Sequence, residues 1–256
     1  MRAFYESEEV LAEYLLFHYG KQKEILPYDF GPIDALDFPA RVVRKSIDFS
    51  NLPENPIALD LGCSVGRSSF ELARNCRSVL GIDSSKSFIE AAKKLQINGQ
   101  ISSSIKIEGD LRLPFVARIS SEIDRSRVRF EVGDAMNLSP KIGQFDLILM
   151  ANLIDRLPNP AALLDRISDF LNPGGKLVVT SPNTWLEEFT PRGNWLGGFA
   201  ENGKSKTTFD TLQEKLLPSF ELIKRLDLPF LIREHARKFQ WSVADATIWK
   251  KRRQPS

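Results

Sequence analysis

From Pro56 onward the apolar residues come in short runs, each followed by a turn and then by helical spacing, and this alternation constrains the fold most. Residues 57–61 form a first apolar run, followed by a helix carrying Phe70, Leu72 and Ala73. Residues 78–82 form a second run, with Ser84 or Ser85 available to cap the helix after it. Further strands are expected at 128–132, 145–150 and 176–180. The run 145–150 is apolar almost throughout, as a strand covered on both faces must be. Asn159 with Pro160 starts a helix that carries Leu163, Leu164, Ile167 and Phe170 inward. Residues 172–175, Asn-Pro-Gly-Gly, read as a turn. A helix at 209–217 precedes 220–226 and 241–249, which alternate like a final antiparallel pair. Repeated βαβ units imply a doubly wound sheet with ligands at the carboxyl ends of its strands.

Two additions flank this core. Ser7 can cap an N-terminal helix, with Glu8 and Glu9 in its first turn and Val10, Leu11, Tyr14, Leu15 and His18 on one face. A second helical stretch follows Pro39. Between residues 100 and 127, Ile105 and Ile107, then Phe115, Ala117 and Ile119, flank a turn-like Asp110–Pro114, which reads as an inserted hairpin at about 101–120. With no repeats and no low-complexity linker, residues 1–256 read as a single domain. It has a helical cap at 1–55, a core at 56–182, and loops and final strands on the substrate side at 183–256.

Composition narrows the function. The 35 basic and 33 acidic residues nearly balance, so nucleic acid is not an expected partner, and the basic cluster 250–253 reads as a solvated tail. Two cysteines and two histidines without paired spacing leave no metal site expected. The start MRAFYESEEV lacks the apolar region of a secretory signal, and no run approaches the roughly 20 residues of a membrane span, so a cytoplasmic enzyme is expected.

The sharpest motif is ALDLGCSVGRSS, residues 58–69. Asp60 ends the first strand, and Gly62, Cys63, Ser64 and Gly66 occupy the turn before a helix, where glycine permits unusual dihedrals or close approach to a ligand. The spacing is neither the dinucleotide G-x-G-x-x-G nor a P-loop. It resembles motif I of class I methyltransferases. That resemblance implies a Rossmann-like α/β fold: a seven-stranded, mostly parallel sheet with an antiparallel last strand, binding S-adenosylmethionine and releasing S-adenosylhomocysteine. Asp83 then stands where the family places an acid for the ribose hydroxyls, with Ser84 beside it. Asp134 and Ala135 stand where the adenine is bound, and Asn152 lies just past the fourth strand, facing sulfonium and substrate. Each aspartate taken singly is more often a cap or turn residue.

The segments EYLLFHYG (13–20), LDFPAR (36–41), GRSSFELAR (66–74), TWLEEFTPRGNWLGG (184–198) and FLIREHARKFQW (230–241) carry a closer resemblance. They look like the 4-mercaptohistidine N1-methyltransferases of ovothiol biosynthesis, which occur alone or as the C-terminal domain of ovothiol synthase. The resemblance implies methyl transfer to a ring nitrogen of 5-thiohistidine, giving ovothiol A, with a separate sulfoxide synthase supplying the substrate. Sulfur competes on the same ring, so selectivity is geometric. Arg233 and Arg237 are candidates to grip the amino-acid carboxylate. His235 is a candidate to relay the ring proton, as imidazoles titrate across neutrality. Trp185, Trp195 and Trp241 are candidates to stack on the ring, with core or lid packing as the alternative. Arg41 is a candidate for the cofactor's methionine carboxylate, and His18 reads as structural. The rival readings are a methyltransferase of another small molecule, of RNA or of protein, and a cofactor-binding scaffold without turnover. A nicotinamide oxidoreductase has the wrong glycine spacing.

Overall fold

The computed structural model describes residues 5–253. The chain opens with α1 (Glu8–Tyr19), capped by Ser7, whose hydroxyl accepts from Val10 N at 3.2 Å, with Glu8 and Glu9 at the positive end of the helix. Two further helices, α2 (Gln22–Ile25) and α3 (Phe38–Ser46), complete the N-terminal cap. The alternating core follows with β1 (Ile57–Leu61), α4 (Arg67–Leu72), β2 (Ser78–Asp83) and α5 (Lys86–Asn98). Of the two candidate caps for α5 it is Ser85 that accepts, from Phe88 N at 3.2 Å. Then come β3 (Gln100–Glu108), β4 (Leu111–Arg118), β5 (Val128–Val132) and β6 (Phe145–Ala151). The last third holds α6 (Pro160–Arg166), β7 (Leu171–Ser181), β8 (Phe199–Glu201), β9 (Lys204–Lys206), α7 (Thr208–Leu216), β10 (Phe220–His235) and β11 (Lys238–Lys251).

Seven strands form one sheet in the order β10-β11-β7-β6-β1-β2-β5. β1, β2, β5, β6 and β7 run parallel, and β11 enters antiparallel between β7 and β10. The strand–turn–helix grammar implied the doubly wound sheet, and the resemblance to class I methyltransferases implied this Rossmann-like order with its antiparallel end. Successive strand residues point to opposite faces, so Leu147 and Leu149 join one apolar cluster with the α1, α3, α4 and α5 side chains. Ile148 and Met150 join the other, with α6 and α7. β3 and β4 form the inserted hairpin as a separate two-stranded sheet.

Three boundaries differ from the sequence expectation, each for a local reason. β7 begins at Leu171 because Phe145 pairs Leu171 while Leu147 already pairs Lys176, so residues 172–175 loop out as a bulge inside the strand. The helix from Pro160 tightens at Ile167–Phe170 into a 3-10 turn. The final pair is much longer than 220–226 and 241–249. Pro229 lies in the edge strand β10 opposite Val243, where no ladder donor is needed. The small hairpin of β8 and β9 has no clear alternation in the sequence and was not expected.

The extra length has a consequence. Ser181, the last residue of β7, pairs Asp245, and Asp245 pairs Asp227, so the rest of β10 and the start of β11 stand beyond the carboxyl end of the sheet. The tip is fastened to the inserted hairpin and the α2 region. Ala236 N donates to Ile107 O at 3.1 Å, Tyr28 Oη to Ala236 O at 3.0 Å, and Arg233 Nη1 to Glu24 O at 2.7 Å. Arg233, only 5% exposed, also reaches Lys106 O at 3.4 Å. Replacing it with Ala strands these carbonyls and should lower the unfolding free energy by about 1–3 kcal/mol. Arg237→Ala, at an exposed position, should stay within about 0.5 kcal/mol of the parent in the same urea titration. Equal effects would contradict this division of roles.

Candidate active site

Strand order reverses between β1 and β6, and the turn after β1 opens at that switch point. Gly62 (φ 79°), Ser64 (φ 51°) and Gly66 (φ 85°) all take left-handed backbone there. The curl turns successive amides onto the end of β2. Gly62 N and Cys63 N both donate to Ile82 O, at 2.8 and 3.0 Å, and Ser64 N donates to Asp83 Oδ2 at 2.8 Å. The other oxygen of Asp83 accepts from Ser85 N at 2.9 Å. Gly66 is dictated by packing as well as by its dihedral, since a Cβ there would lie 2.5 Å from the Phe130 ring. Asp60 is buried at the end of β1 and accepts from Ser69 Oγ at 2.6 Å. Burial pushes its carboxyl up to about 7. Burial also raises Asp83, against the pull of its backbone donors.

Helix α1 closes over this turn. Tyr19 Oη donates to Val65 O at 2.8 Å. The Glu6 carboxylate accepts from Lys86 N and Ser87 N, at 2.9 and 3.2 Å, satisfying two of the open amides at the start of α5. Tyr5 O accepts from the hydroxyls of Ser85 and Ser87, at 3.3 and 3.0 Å. The Tyr5 ring meets Phe88 (5.9 Å) and Phe189 (6.4 Å), and the Arg156 guanidinium lies 4.7 Å over the Phe189 ring. Burial lifts the phenols of Tyr5 and Tyr14, and the charge of Arg156 pulls both back.

The far wall is the end of β6. Asn152 takes a left-handed φ of 52°. Its N–H donates to Thr180 O at 2.9 Å, and its Oδ1 accepts from Thr180 Oγ1 at 2.8 Å. Asp155 Oδ2 accepts from Arg156 Nη1 at 2.9 Å and from Thr184 N at 3.2 Å, and burial raises its carboxyl.

The topology brings Asp60, Gly62, Cys63, Ser64, Gly66, Asp83, Ser84, Asp134, Ala135 and Asn152 together at the carboxyl ends of β1, β2, β5 and β6. Asp134 caps a 3-10 turn through Met136 N and Asn137 Nδ2, at 2.9 and 2.8 Å, which leaves each oxygen a further lone pair. The residues expected on the substrate side do not join this group. Arg41 spends its guanidinium on Leu36 O, at 2.7 Å, and on Pro229 O. Arg233, His235 and Arg237 lie at the β10–β11 tip against the inserted hairpin; Arg233 and His235 belong to strand β10, not to a loop. His235 Nδ1 accepts from Arg237 N at 3.3 Å. Trp185 is core, its Nε1 donating to Thr208 Oγ1 at 3.0 Å. Trp195 stacks on Trp185 and donates to Thr190 O, while Trp241 stands 60% exposed. Tyr5, Glu6, Tyr14, His18, Tyr19, Arg67, Arg156 and Phe189 instead form a connected set beside the turn after β1 and the start of α5. The sequence signal for them was the i, i+4 pair Tyr14 and His18 on the inner face of α1. No cluster of metal-ligating side chains occurs among the described residues.

Comparison with known proteins agrees with this geometry. Residues 59–179 match the family model described as "Methyltransferase domain". The chain is 33% identical over 153 residues to trans-aconitate 2-methyltransferase of Deinococcus radiodurans, covering 58% of this chain and 45% of that protein. It is 25% identical over 125 residues to a ubiquinone biosynthesis O-methyltransferase of Coxiella burnetii, covering 49% and 43%. The chain thus spans about half the length of the curated relatives it matches. Solved structures share the fold across nearly the whole chain. The [4+2]-cyclase SpnF has a TM-score of 0.59 at 16% identity, covering 99% of this chain and 96% of that one. Magnesium protoporphyrin IX methyltransferase from Synechocystis, solved with S-adenosylhomocysteine bound, gives 0.57 at 15%, covering 98% and 97%. The N-methyltransferase NodS from Bradyrhizobium japonicum in complex with S-adenosylhomocysteine gives 0.55 at 15%, covering 94% and 98%.

The site has a built-in pH dependence. Asp60 binds its proton more tightly folded than unfolded, so its contribution to stability is full below its unfolded pKa, near 4, and is lost as pH rises toward about 7. Asp60→Asn should therefore be more stable relative to the parent at pH 8 than at pH 5, in urea titrations at both. A difference independent of pH would contradict the buried protonated state.

Proposed function

We propose that this protein transfers a methyl group from S-adenosylmethionine to a ring nitrogen of a small amino acid, 5-thiohistidine, forming ovothiol A. The cofactor half of the reading is carried by one observation: at the carboxyl ends of β1 and β2, Asp83 is aimed by two backbone amides beside a buried Ser64 hydroxyl that has no partner within the chain. Buried polar groups are normally satisfied, so an unpaired hydroxyl next to an oriented carboxylate is what a polar, hydroxyl-bearing ligand would complete. Asp83 and Ser84 would hold the ribose, Asp134 and Ala135 the adenine, and the turn 62–66 the methionine portion. The cofactor supplies an electrophilic methyl group on a cationic sulfur.

The chain's contribution is alignment and exclusion of water, since a displacement of this kind depends on holding nucleophile and methyl in line. Asn152, locked by Thr180, and the α1 roof of Tyr14 and His18 flank the space available to the acceptor. Arg156, with its charge against the phenols, suits an acceptor that carries an anion. The thiohistidine acceptor is supported by the segments 13–20, 36–41, 66–74, 184–198 and 230–241. Of these, the first lies in the roof and the fourth reaches its edge at Phe189. The last segment, with Arg233, Arg237 and His235, is read here as bracing the roof. The proposal includes a cytoplasmic location and a separate sulfoxide synthase as source of the substrate. Among the described residues no helix is long and apolar enough to cross a membrane. The curated relatives, which act on trans-aconitate and in ubiquinone biosynthesis by their names, are matched over 153 and 125 residues and leave the acceptor side open.

Purified protein incubated with S-adenosylmethionine and 5-thiohistidine should yield a ring N-methyl product by mass spectrometry and NMR, and histidine should yield none. S-methylation, or no product despite cofactor binding, would overturn the acceptor. In calorimetry, Asp83→Ala should weaken S-adenosylhomocysteine binding by about 1–3 kcal/mol, the scale of hydrogen bonds to a charged group. Unchanged affinity would remove the ribose assignment.

A further inference from the structure

His18 is a buried polar group of the roof that the fold itself does not use. It follows Tyr14 by four residues on the same face of α1, with ring centroids 6.1 Å apart. Its other neighbours are Phe17 at 5.3 Å and Tyr19, the residue hooked onto Val65, at 6.3 Å. The ring is 7% exposed, and Nδ1 has no hydrogen-bond partner. Burial, helped by the positive charge of Arg67, pushes its pKa down to about 3, so the imidazole is neutral at physiological pH. The Nε2–H tautomer, intrinsically favoured for a neutral histidine side chain, leaves Nδ1 as a bare lone pair. A core position facing Phe17 and Tyr14 would be filled at less cost by phenylalanine.

We propose that His18 Nδ1 accepts a hydrogen bond from the protonated heteroatom of the methyl acceptor, an N–H or O–H, and so selects acceptors bearing such a donor over carboxylates. This rests on the methyl-transfer reading above and refines its acceptor class. An ionised carboxylate offers lone pairs only, so it would meet Nδ1 lone pair against lone pair. A ring N–H or a phenol meets it with a proton. His18 is a positioning residue: by holding one ring N–H, or one of the two hydroxyls of a catechol, it would turn the neighbouring atom that carries the free lone pair toward the methyl group, and the held proton stays where it is during the transfer.

The chain contains two histidines, so a protein labelled with 15N-histidine shows two imidazoles, and His18→Phe assigns them. With S-adenosylhomocysteine bound, 5-thiohistidine or catechol should shift the His18 Nδ1 resonance in the direction of hydrogen-bond acceptance, and trans-aconitate should not. A shift with catechol but not with thiohistidine removes the thiohistidine acceptor and upholds the role of His18. No shift with either donor, a shift with trans-aconitate, or a full shift on adding S-adenosylhomocysteine alone overturns it. Independently of any acceptor, His18→Phe should keep its affinity for S-adenosylhomocysteine and melt at or above the parent temperature at pH 7.5. A melting point lowered by several degrees would make the residue structural and end the proposal. Where a donor-bearing acceptor is turned over, its KM should rise about tenfold in the variant, the scale of one hydrogen bond.

Discussion

The carboxylate of Asp83 is the joint on which the site hangs. A parallel sheet delivers its strands to one edge and leaves each following turn with amides that the ladder no longer satisfies. Asp83 gathers one amide from the turn after β1, Ser64 N, and one from its own turn, Ser85 N. Ser85 then caps α5 and, with Ser87, holds the backbone of Tyr5. Glu6 satisfies two more amides at the start of the same helix, where the dipole favours a carboxylate. The turn after β1, the start of α5 and the roof are therefore one hydrogen-bonded patch, and a change at Asp83 is felt in all three.

Much of this was legible in the sequence because it follows from period and from special residues. The change from strand to helix spacing, the caps Ser7, Ser85 and Asn159, and the glycines at left-handed positions each have a local cause that one segment carries. That Asp83 ends β2 and that glycines open the turn after β1 was readable too, but that Ser64 N reaches the Asp83 carboxylate was not. What stayed hidden depends on contacts between distant segments. Residues 230–241 show arginines, a glutamate and a histidine crowded together, which reads as a binding loop. Only the register of β10 against β11 puts them at the tip of a projecting hairpin, with Arg233 turned onto Glu24 and Lys106. Gly66 was legible as a glycine position, but Phe130, its steric reason, comes from β5.

The fold alone leaves the chemistry open, as its likeness to a cyclase and to methyltransferases at comparable TM-scores demonstrates. Discrimination has to come from groups that the fold does not need. Arg233 and His18 make the contrast. Both are buried polar side chains near α1, and each has one nitrogen without a partner, yet Arg233 still answers two backbone carbonyls, whereas His18 Nδ1 answers nothing. Removing the first breaks bonds the fold has made; the second is a cost that the fold carries without return.

The roof is held at both ends and along its outer flank. At one end Tyr19 bonds Val65, and at the other Glu6 and the Tyr5 carbonyl bond the start of α5. Along its outer flank Glu9 pairs with Lys106 of the inserted hairpin, which Arg233 and Ala236 tie to the β10–β11 tip. Toward β6 the Tyr5 ring packs against Phe189, Arg156 lies over the same ring, and Arg156 is also a side-chain hydrogen-bond partner of Tyr5. The core itself thus holds the two ends of the roof, and the inserted hairpin, tied to the overshooting strands, braces its outer flank, which gives both additions to the minimal sheet one structural task.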